Sequence, residues 1–278
     1  MKRRAGRPEI VAEIMPRVIA QIEKRREKRM EIYERNWGLI SSETQEKIKQ
    51  ARVLLVGCGL GSQIAVLASR TGFCHFELWD GDKVEVHNLN RQVFNQLDVG
   101  FNKAEVTAKK IQEINIEAET EVYPQFLRRQ EDISAAVERN DFIVNMADPN
   151  QAMWLISEAA RKHDKIEFHP LNCGWIAYCL ILTPQTPSLI EIFEGKKIYG
   201  FEFYEMLINK TLKGIPDNSA LKEFLKKYGE EIRSGKLSFP QLGTTTYLTT
   251  AIVVETIIKI LAGAEVILAP QPVICYAL

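Results

Sequence analysis

The chain has 278 residues, with 36 Lys plus Arg against 36 Asp plus Glu and a hydrophobic content of 46%. That balance excludes a disordered chain and leaves enough apolar residues for one large core or two small ones. The greasiest stretch, Tyr247 to Leu268, is interrupted by Glu255, Lys259 and Glu265, so no membrane-spanning helix is expected.

The amino terminus, Met1-Lys2-Arg3-Arg4, leads into no apolar signal region, and a cytoplasmic location is the expectation. Residues 1–30 hold ten basic and four acidic side chains. Ile10, Val11, Ile14, Val18, Ile19 and Ile22 recur at helical spacing, which predicts an amphipathic arm over 1–32, bent near Pro16, that packs on a partner subunit. Lys24, Arg25, Arg26, Lys28 and Arg29 could face nucleic acid phosphates, but such runs are more often a solvated helix face, and that reading is favoured.

Val53-Leu54-Leu55-Val56 opens into Gly57-Cys58-Gly59-Leu60-Gly61-Ser62 and then an apolar stretch at helical spacing, Ile64 to Ala68. This reads as strand, glycine turn and helix, the arrangement in which backbone amides and a helix dipole meet a phosphate. A second strand, Phe76 to Trp79, ends at Asp80, nineteen residues after Gly61, where a carboxylate can hydrogen-bond ribose hydroxyls. The loop alone is weak, because Ser62 stands where the strict fingerprint has its third glycine. With strand, helix and Asp80 it predicts an adenosine site in an α/β fold, without separating NAD from ATP.

The following segment separates them. It runs Asp82 to Gln92 and then Gly100-Phe101-Asn102-Lys103. Arg91 with its planar fork and Lys103 with its point charge suit two different phosphates of a triphosphate, and Asn88 can add a neutral hydrogen bond. Nicotinamide chemistry needs none of these, and an NAD oxidoreductase ranks last among the readings. Asp141 to Pro149 reads as a further buried strand whose end delivers Asp148 to the same sheet edge. Before Pro149, Asp148 fits either a helix N-cap or a Mg²⁺ ligand beside the triphosphate, and both uses stay open.

Asn172 to Cys179 reads as a buried strand with a glycine entry. From Thr183 to Pro240, helices are predicted over Phe201 to Leu212 and Leu221 to Ile232, with a turn at 214–218; this is either an insertion covering the site or a plain decoration. Thr244 to Leu261 reads as a long apolar helix closed by Gly263, and Pro272 to Leu278 as a last strand. Cys58, Cys74, Cys173, Cys179 and Cys275 contain no CxxC pair. Neither a disulfide framework nor structural zinc is expected, and the cysteines read as core.

Tyr33-Glu34-Arg35-Asn36, Gln45-Glu46-Lys47-Ile48, the glycine loop, Asp80, Asn88-Leu89-Asn90-Arg91-Gln92, Gly100 to Lys103, Ile114-Asn115 and Asp148 together resemble the ubiquitin-like-protein activating enzymes, the E1, ThiF and MoeB group. The resemblance is strong over 33–150 and weaker over 166–182 and 240–278. It implies a Rossmann-like nucleotide domain continued by a mixed β-sheet, with the basic arm at 1–32, the ATP-binding part at 33–182, a helical insertion or crossover at 183–240, and a helix and strand at 241–278 completing the same domain.

The implied reaction is attack of a protein's carboxy-terminal carboxylate on the α-phosphate of ATP, giving an acyl-adenylate and pyrophosphate, in a homodimer acting on a small ubiquitin-like or sulfur-carrier protein. By the resemblance, Gly57, Gly59 and Gly61 form the phosphate loop, and Asp80 holds the ribose. Asn88, Arg91 and Lys103 hold the phosphates, Asp148 holds Mg²⁺, and Arg35 reaches the triphosphate of the neighbouring subunit. The glycine loop is one residue shorter than the family's, Asn145 replaces a customary aspartate, Pro149 replaces an asparagine, and no cysteine lies between Cys179 and Cys275. Adenylation without a covalent enzyme intermediate is therefore expected. The rival readings are adenylation of a small-molecule or tRNA-linked carboxylate, as in the threonylcarbamoyladenosine dehydratases, and a non-catalytic nucleotide-binding subunit.

Overall fold

Short apolar runs bounded by turn residues alternate along this chain with longer segments of helical period, the pattern that builds a parallel sheet covered on both faces. The computed structural model describes residues 32–211 and 220–276. The basic arm, the turn at 214–218 and the end of the last strand lie outside the described residues. The chain divides into two compact units, Met1–Ser42 and Glu43–Leu278. In the first, a 3₁₀ turn over Glu34–Asn36 carries Arg35, whose side chain is exposed.

Helix α1 (Ser42–Gln50) precedes β1 (Arg52–Val56), α2 (Leu60–Thr71) and β2 (His75–Trp79). A long loop leads to α3 (Lys103–Ile114), β3 (Glu119–Tyr123), α4 (Gln130–Arg139), β4 (Phe142–Asn145), α5 (Gln151–Lys162), β5 (Ile166–Cys173) and β6 (Ile176–Leu182). The chain continues through α6 (Leu189–Ile192), α7 (Gly200–Thr211), α8 (Ala220–Arg233) and α9 (Gly243–Leu261) to β7 (Val273–Tyr276). The sheet order is β3-β2-β1-β4-β5-β6-β7. Pairings from β3 to β5 are parallel and those of β6 with β5 and β7 are antiparallel, so the sheet is mixed as the resemblance implied. The expected strands appear as β1, β2 and β4, and the expected helices of the later segment as α7, α8 and α9. Strand β3 escapes a search for apolar runs because Glu119-Thr120-Glu121 exposes an edge strand with few apolar residues.

One expectation is corrected. Asn172 to Cys179 is not a single strand but the tip of the β5–β6 hairpin, with Cys173 paired to Ile176 across Gly174-Trp175. Gly174 has φ +56°, and a glycine takes that left-handed conformation in a two-residue turn without a Cβ clash.

Leu54, Val56 and Ile143 of the sheet pack against Ile133, Ala136 and Val137 of α4 and Ile156 and Ala160 of α5. A second cluster joins Trp154 of α5, Tyr178 and Leu180 of β6, Leu189 and Phe193, and Phe203 and Leu207 of α7. Helix α9 is long and apolar enough in composition to cross a membrane. Here it packs on α2, β5 and β6, with Val253, Val254 and Ile257 buried.

Within β2, Glu77 is only 1% exposed. Its carboxylate accepts from Arg139 Nε at 2.7 Å, Asn140 Nδ2 at 2.7 Å and Trp79 Nε1 at 2.7 Å. Removing one partner of such a pair leaves a buried charge uncompensated, which costs about 3–5 kcal/mol. Arg139→Ala should lower the unfolding free energy by about 3 kcal/mol in urea titrations, and Arg139→Ala with Glu77→Gln should recover part of it. An unchanged midpoint for Arg139→Ala would show that this pair carries no stability.

Candidate functional site

Gly57 ends β1 with φ +102°, and a Cβ there would sit 3.0 Å from the Met146 carbonyl oxygen. Glycine therefore lets β1 and the end of β4 close together while the chain turns into α2. The Gly57 amide donates to Trp79 O at 2.8 Å. Gly59 occupies the N-cap of α2 and Gly61 lies buried in its first turn.

Asp80, at the end of β2, ties this loop to the next one. Its Oδ2 accepts from the Cys58 amide at 2.6 Å and its Oδ1 from the Asp82 amide at 2.8 Å. Burial pushes its carboxyl pKa up, against the two amide bonds and the Lys103 charge, which pull it down. Beneath the loop, burial first and the Asp80 charge second push the Cys58 thiol well up, and burial pushes Cys179 up as well. Both thiols are held protonated and are poor nucleophiles.

Asn102 secures the far end of the long loop. Its Nδ2 donates to Asp80 O at 2.8 Å and Asp82 O at 3.1 Å, and its Oδ1 caps α3 by accepting from Ala104 N at 2.9 Å. Lys103 is the first residue of α3, and its Nζ lies 3.2 Å from Asp82 Oδ2. Arg91 Nη1 donates to His87 O at 2.9 Å and Asn90 Oδ1 at 2.8 Å. Among the described residues no carboxylate pairs with Arg91, and burial lowers its pKa.

A cavity of about 330 Å³ opens along the carboxyl ends of β1, β2, β4 and β5. Gly57, Gly59, Asp80, Arg91, Lys103 and Asp148 line it together. Gly61 and Asn88 do not. The Asn88 Oδ1 accepts from Glu85 N at 2.9 Å and closes the 3₁₀ turn Val86–Asn88. Arg35 belongs to the other unit.

Asp148 is exposed and is not the N-cap of α5; Asn150 is, its Oδ1 accepting from Ala152 N at 2.8 Å. Of the two uses left open, the cap is therefore corrected, because Asn150 stands directly before the first helical residue. The Asp148 carboxylate is left on the cavity wall. Among the described residues no group of three or more His, Cys, Asp or Glu could hold a metal by itself. Mg²⁺ on a triphosphate needs only one or two carboxylates, with phosphate oxygens and waters completing the octahedron, and Asp148 and Asp82 fit that demand.

Several wall residues were not read from the sequence. Arg128 sits 4.6 Å over the Phe126 ring, adding a guanidinium to the wall. Phe203, Tyr204 and Leu207 of α7 also line the cavity, so this helix of the 183–240 segment is part of the wall. Asn145, His169 and Asn172 line it from β4 and β5. Asn145 Nδ2 donates to Met153 O at 3.0 Å and Glu167 Oε1 at 2.8 Å, while Ser157 Oγ donates to Glu167 Oε2 at 2.7 Å. The signal for these residues was available: Glu167, His169 and Asn172 punctuate an otherwise apolar strand.

The ThiF family model matches residues 33–275. A probable molybdopterin-synthase adenylyltransferase of Porphyra purpurea is 31% identical over 134 residues, 47% of this chain and 34% of that protein. A sulfur carrier protein adenylyltransferase of Thermus thermophilus is 33% identical over 123 residues, 44% of this chain and 45% of that protein. The chain thus matches less than half the length of either relative. The crystal structure of E. coli MccB with ATP shares the fold, with a TM-score of 0.64 at 20% identity over 84% of this chain and 63% of MccB.

The resemblance implies an aspartate at Asn145, and the hydrogen bonds call for an amide instead: both of its Nδ2 partners are acceptors, one of them the Glu167 carboxylate. Asn145→Asp should cost about 3 kcal/mol at neutral pH by placing like charges in contact without water. The loss should shrink as pH falls and the introduced carboxyl takes up a proton, and Glu167→Gln should relieve it. Urea titrations at two pH values check both, and equal losses at pH 7.5 and 5 would refute the electrostatic account.

Proposed function

The chain belongs to the ThiF family, and from that premise we propose that it is an ATP-dependent adenylyltransferase that activates the carboxy-terminal carboxylate of a small ubiquitin-like or sulfur-carrier protein. The observation that carries this reading is the gathering of Arg91, Lys103, Asp80 and the Gly57–Gly59 loop on one cavity at the sheet's carboxyl edge, where ligands of open α/β sheets bind. The names of the Porphyra and Thermus relatives and the ATP in MccB point the same way.

In this reaction a carboxylate oxygen forms a bond to the α-phosphorus, the bond to the bridging oxygen breaks, and pyrophosphate leaves with its electron pair. Two anions must meet, so the chain's task is to cancel their repulsion and to stabilise charge on the leaving group. Arg91 is suited to this, because its guanidinium is half-buried and bound to neutral oxygens only, which leaves its charge available. Lys103 shares its charge with Asp82, and a phosphate arriving there gains an ammonium already fixed in place. The Gly57 and Cys58 amides are engaged by Trp79 O and Asp80, so the amides at the start of α2 are the ones left to meet a phosphate. Asp80 is set beside the ribose, although its two oxygens already accept one backbone amide each. Asp148, on the cavity wall, would hold Mg²⁺, which supplies charge neutralisation to the triphosphate. No protein nucleophile enters, in keeping with the protonated Cys58 and Cys179.

Arg91→Ala and Lys103→Ala should each slow carboxylate-dependent exchange of labelled pyrophosphate into ATP by about 10²-fold, the usual effect of losing one transition-state donor. A rate within twofold of the parent would remove that residue from the mechanism. The reading includes a homodimer in which Arg35 acts across the subunit boundary. An Arg35→Ala subunit mixed with a Lys103→Ala subunit should then regain one working site per mixed dimer, and an isolated mixed dimer without recovery would refute the assignment in trans.

A further inference from the structure

Arg91 carries its charge on a long side chain, and a guanidinium that is already aimed loses less rotamer freedom when an anion arrives. One of its nitrogens is used for aiming. Arg91 Nη1 donates to His87 O at 2.9 Å and to Asn90 Oδ1 at 2.8 Å. Both hydrogens of that nitrogen are thereby taken, and Nη2 and Nε are left for the two parallel bonds that a guanidinium can make to a phosphate. The His87 carbonyl belongs to the same stretch of loop as Arg91. The Asn90 side chain, in contrast, is anchored to a distant part of the chain.

Asn90 Nδ2 donates to Gln241 O at 3.2 Å, 151 residues away in sequence. The carboxamide has one workable orientation: turned over, it would set its oxygen against the Gln241 carbonyl and its N–H groups against the guanidinium. The Asn90 backbone is clamped at the same place. A Cβ on Gly243, the first residue of α9, would lie 2.7 Å from Asn90 O and 3.9 Å from Arg91 Cα. Glycine therefore lets the loop close against the start of α9, and any side chain there must move Asn90. The segment entering α9 is braced in turn by the β5–β6 hairpin, where Gly174 N donates to Pro240 O at 3.3 Å and Thr245 Oγ1 donates to Gly174 O at 2.7 Å. Arg91 lines the cavity, whereas Asn90 and Gly243 do not.

We propose that Asn90 is a positioning residue for Arg91 and that Gly243 holds Asn90 in place, so that the entry to α9 fixes, through one carboxamide, the guanidinium that meets the triphosphate. The inference rests on the adenylation reading and adds to it two residues that act on the nucleotide only through another. Asn90 is exposed and takes no part in the apolar core, so its replacement leaves the fold intact.

The test is equilibrium titration of ATP, with Mg²⁺ present, into the parent chain, Asn90→Ala, Gly243→Ala, Arg91→Ala and the two double variants that combine Arg91→Ala with each of the others. Asn90→Ala and Gly243→Ala should each weaken ATP binding about tenfold. In the Arg91→Ala background either change should alter affinity less than about twofold, because a residue that acts through a guanidinium has nothing to act on once it is gone. General disturbance of the pocket, or direct contact of Asn90 with the nucleotide, would give losses that multiply, and that result would overturn the proposal. Parent-like affinity in Asn90→Ala, in a folded Gly243→Ala or in Arg91→Ala would overturn it too. Asn90→Ala carries the test by itself if Gly243→Ala does not fold. A parent that binds ATP, with a weakened Arg91→Ala, upholds the nucleotide site, so failure of the Asn90 cycle then refutes the positioning role alone. A parent that binds no ATP refutes the adenylation reading, and the positioning role falls with it.

Discussion

The Asp80 carboxylate is the point from which the nucleotide edge is built. One oxygen holds the glycine loop through the Cys58 amide, and the other holds the start of the long loop through the Asp82 amide. Asn102 then returns to the backbone oxygens of Asp80 and Asp82, so that both ends of a twenty-residue excursion are fastened to the end of one strand. Arg91 and Lys103 sit on that excursion, and their placement on the cavity wall depends on its closure. Burial makes the Asp80 charge expensive, and the two amides are what offset that cost.

Charge elsewhere in the site is distributed by the same rule. Lys103 is matched by Asp82, and Glu77 by Arg139, whereas Arg91 is matched by neutral oxygens only. A guanidinium left without a carboxylate at a half-buried position is one that an anionic ligand can complete. On β5, the buried Glu167 carboxylate is met by a neutral amide from the neighbouring strand, at Asn145.

The segment after β6 contributes to the site by packing rather than by chemistry. Trp154 of α5 stands edge-on to Phe193 and Phe203, and its indole N–H donates to Ile198 O at 3.0 Å. This aromatic cluster seats α7 against α5, and Phe203, Tyr204 and Leu207 of α7 line the cavity. The same segment was equally readable in sequence as a decoration. Helical period identifies an element, but which cavity it borders depends on a partner face more than forty residues away.

Local pattern was sufficient for the strand, glycine turn and helix around residues 53–68, for Asp80 at the next strand end, and for Arg91 and Lys103, because each depends on neighbours close in the chain. The hairpin at Gly174 was hidden, since an apolar run around a glycine does not say whether the chain bends there. Asp148 showed a similar limit: its proline neighbour fitted a cap, and only the hydrogen bond of Asn150 to Ala152 decided against it. Sequence by itself determined the α/β class and the gathering of glycines and cations at one sheet edge, through periodicity and residue chemistry that short-range sterics enforce. Tertiary structure alone decided the partners of Asn145, Asn172 and the buried Glu167, because the meaning of a polar residue in a strand lies in the partners that folding brings to it from distant parts of the chain.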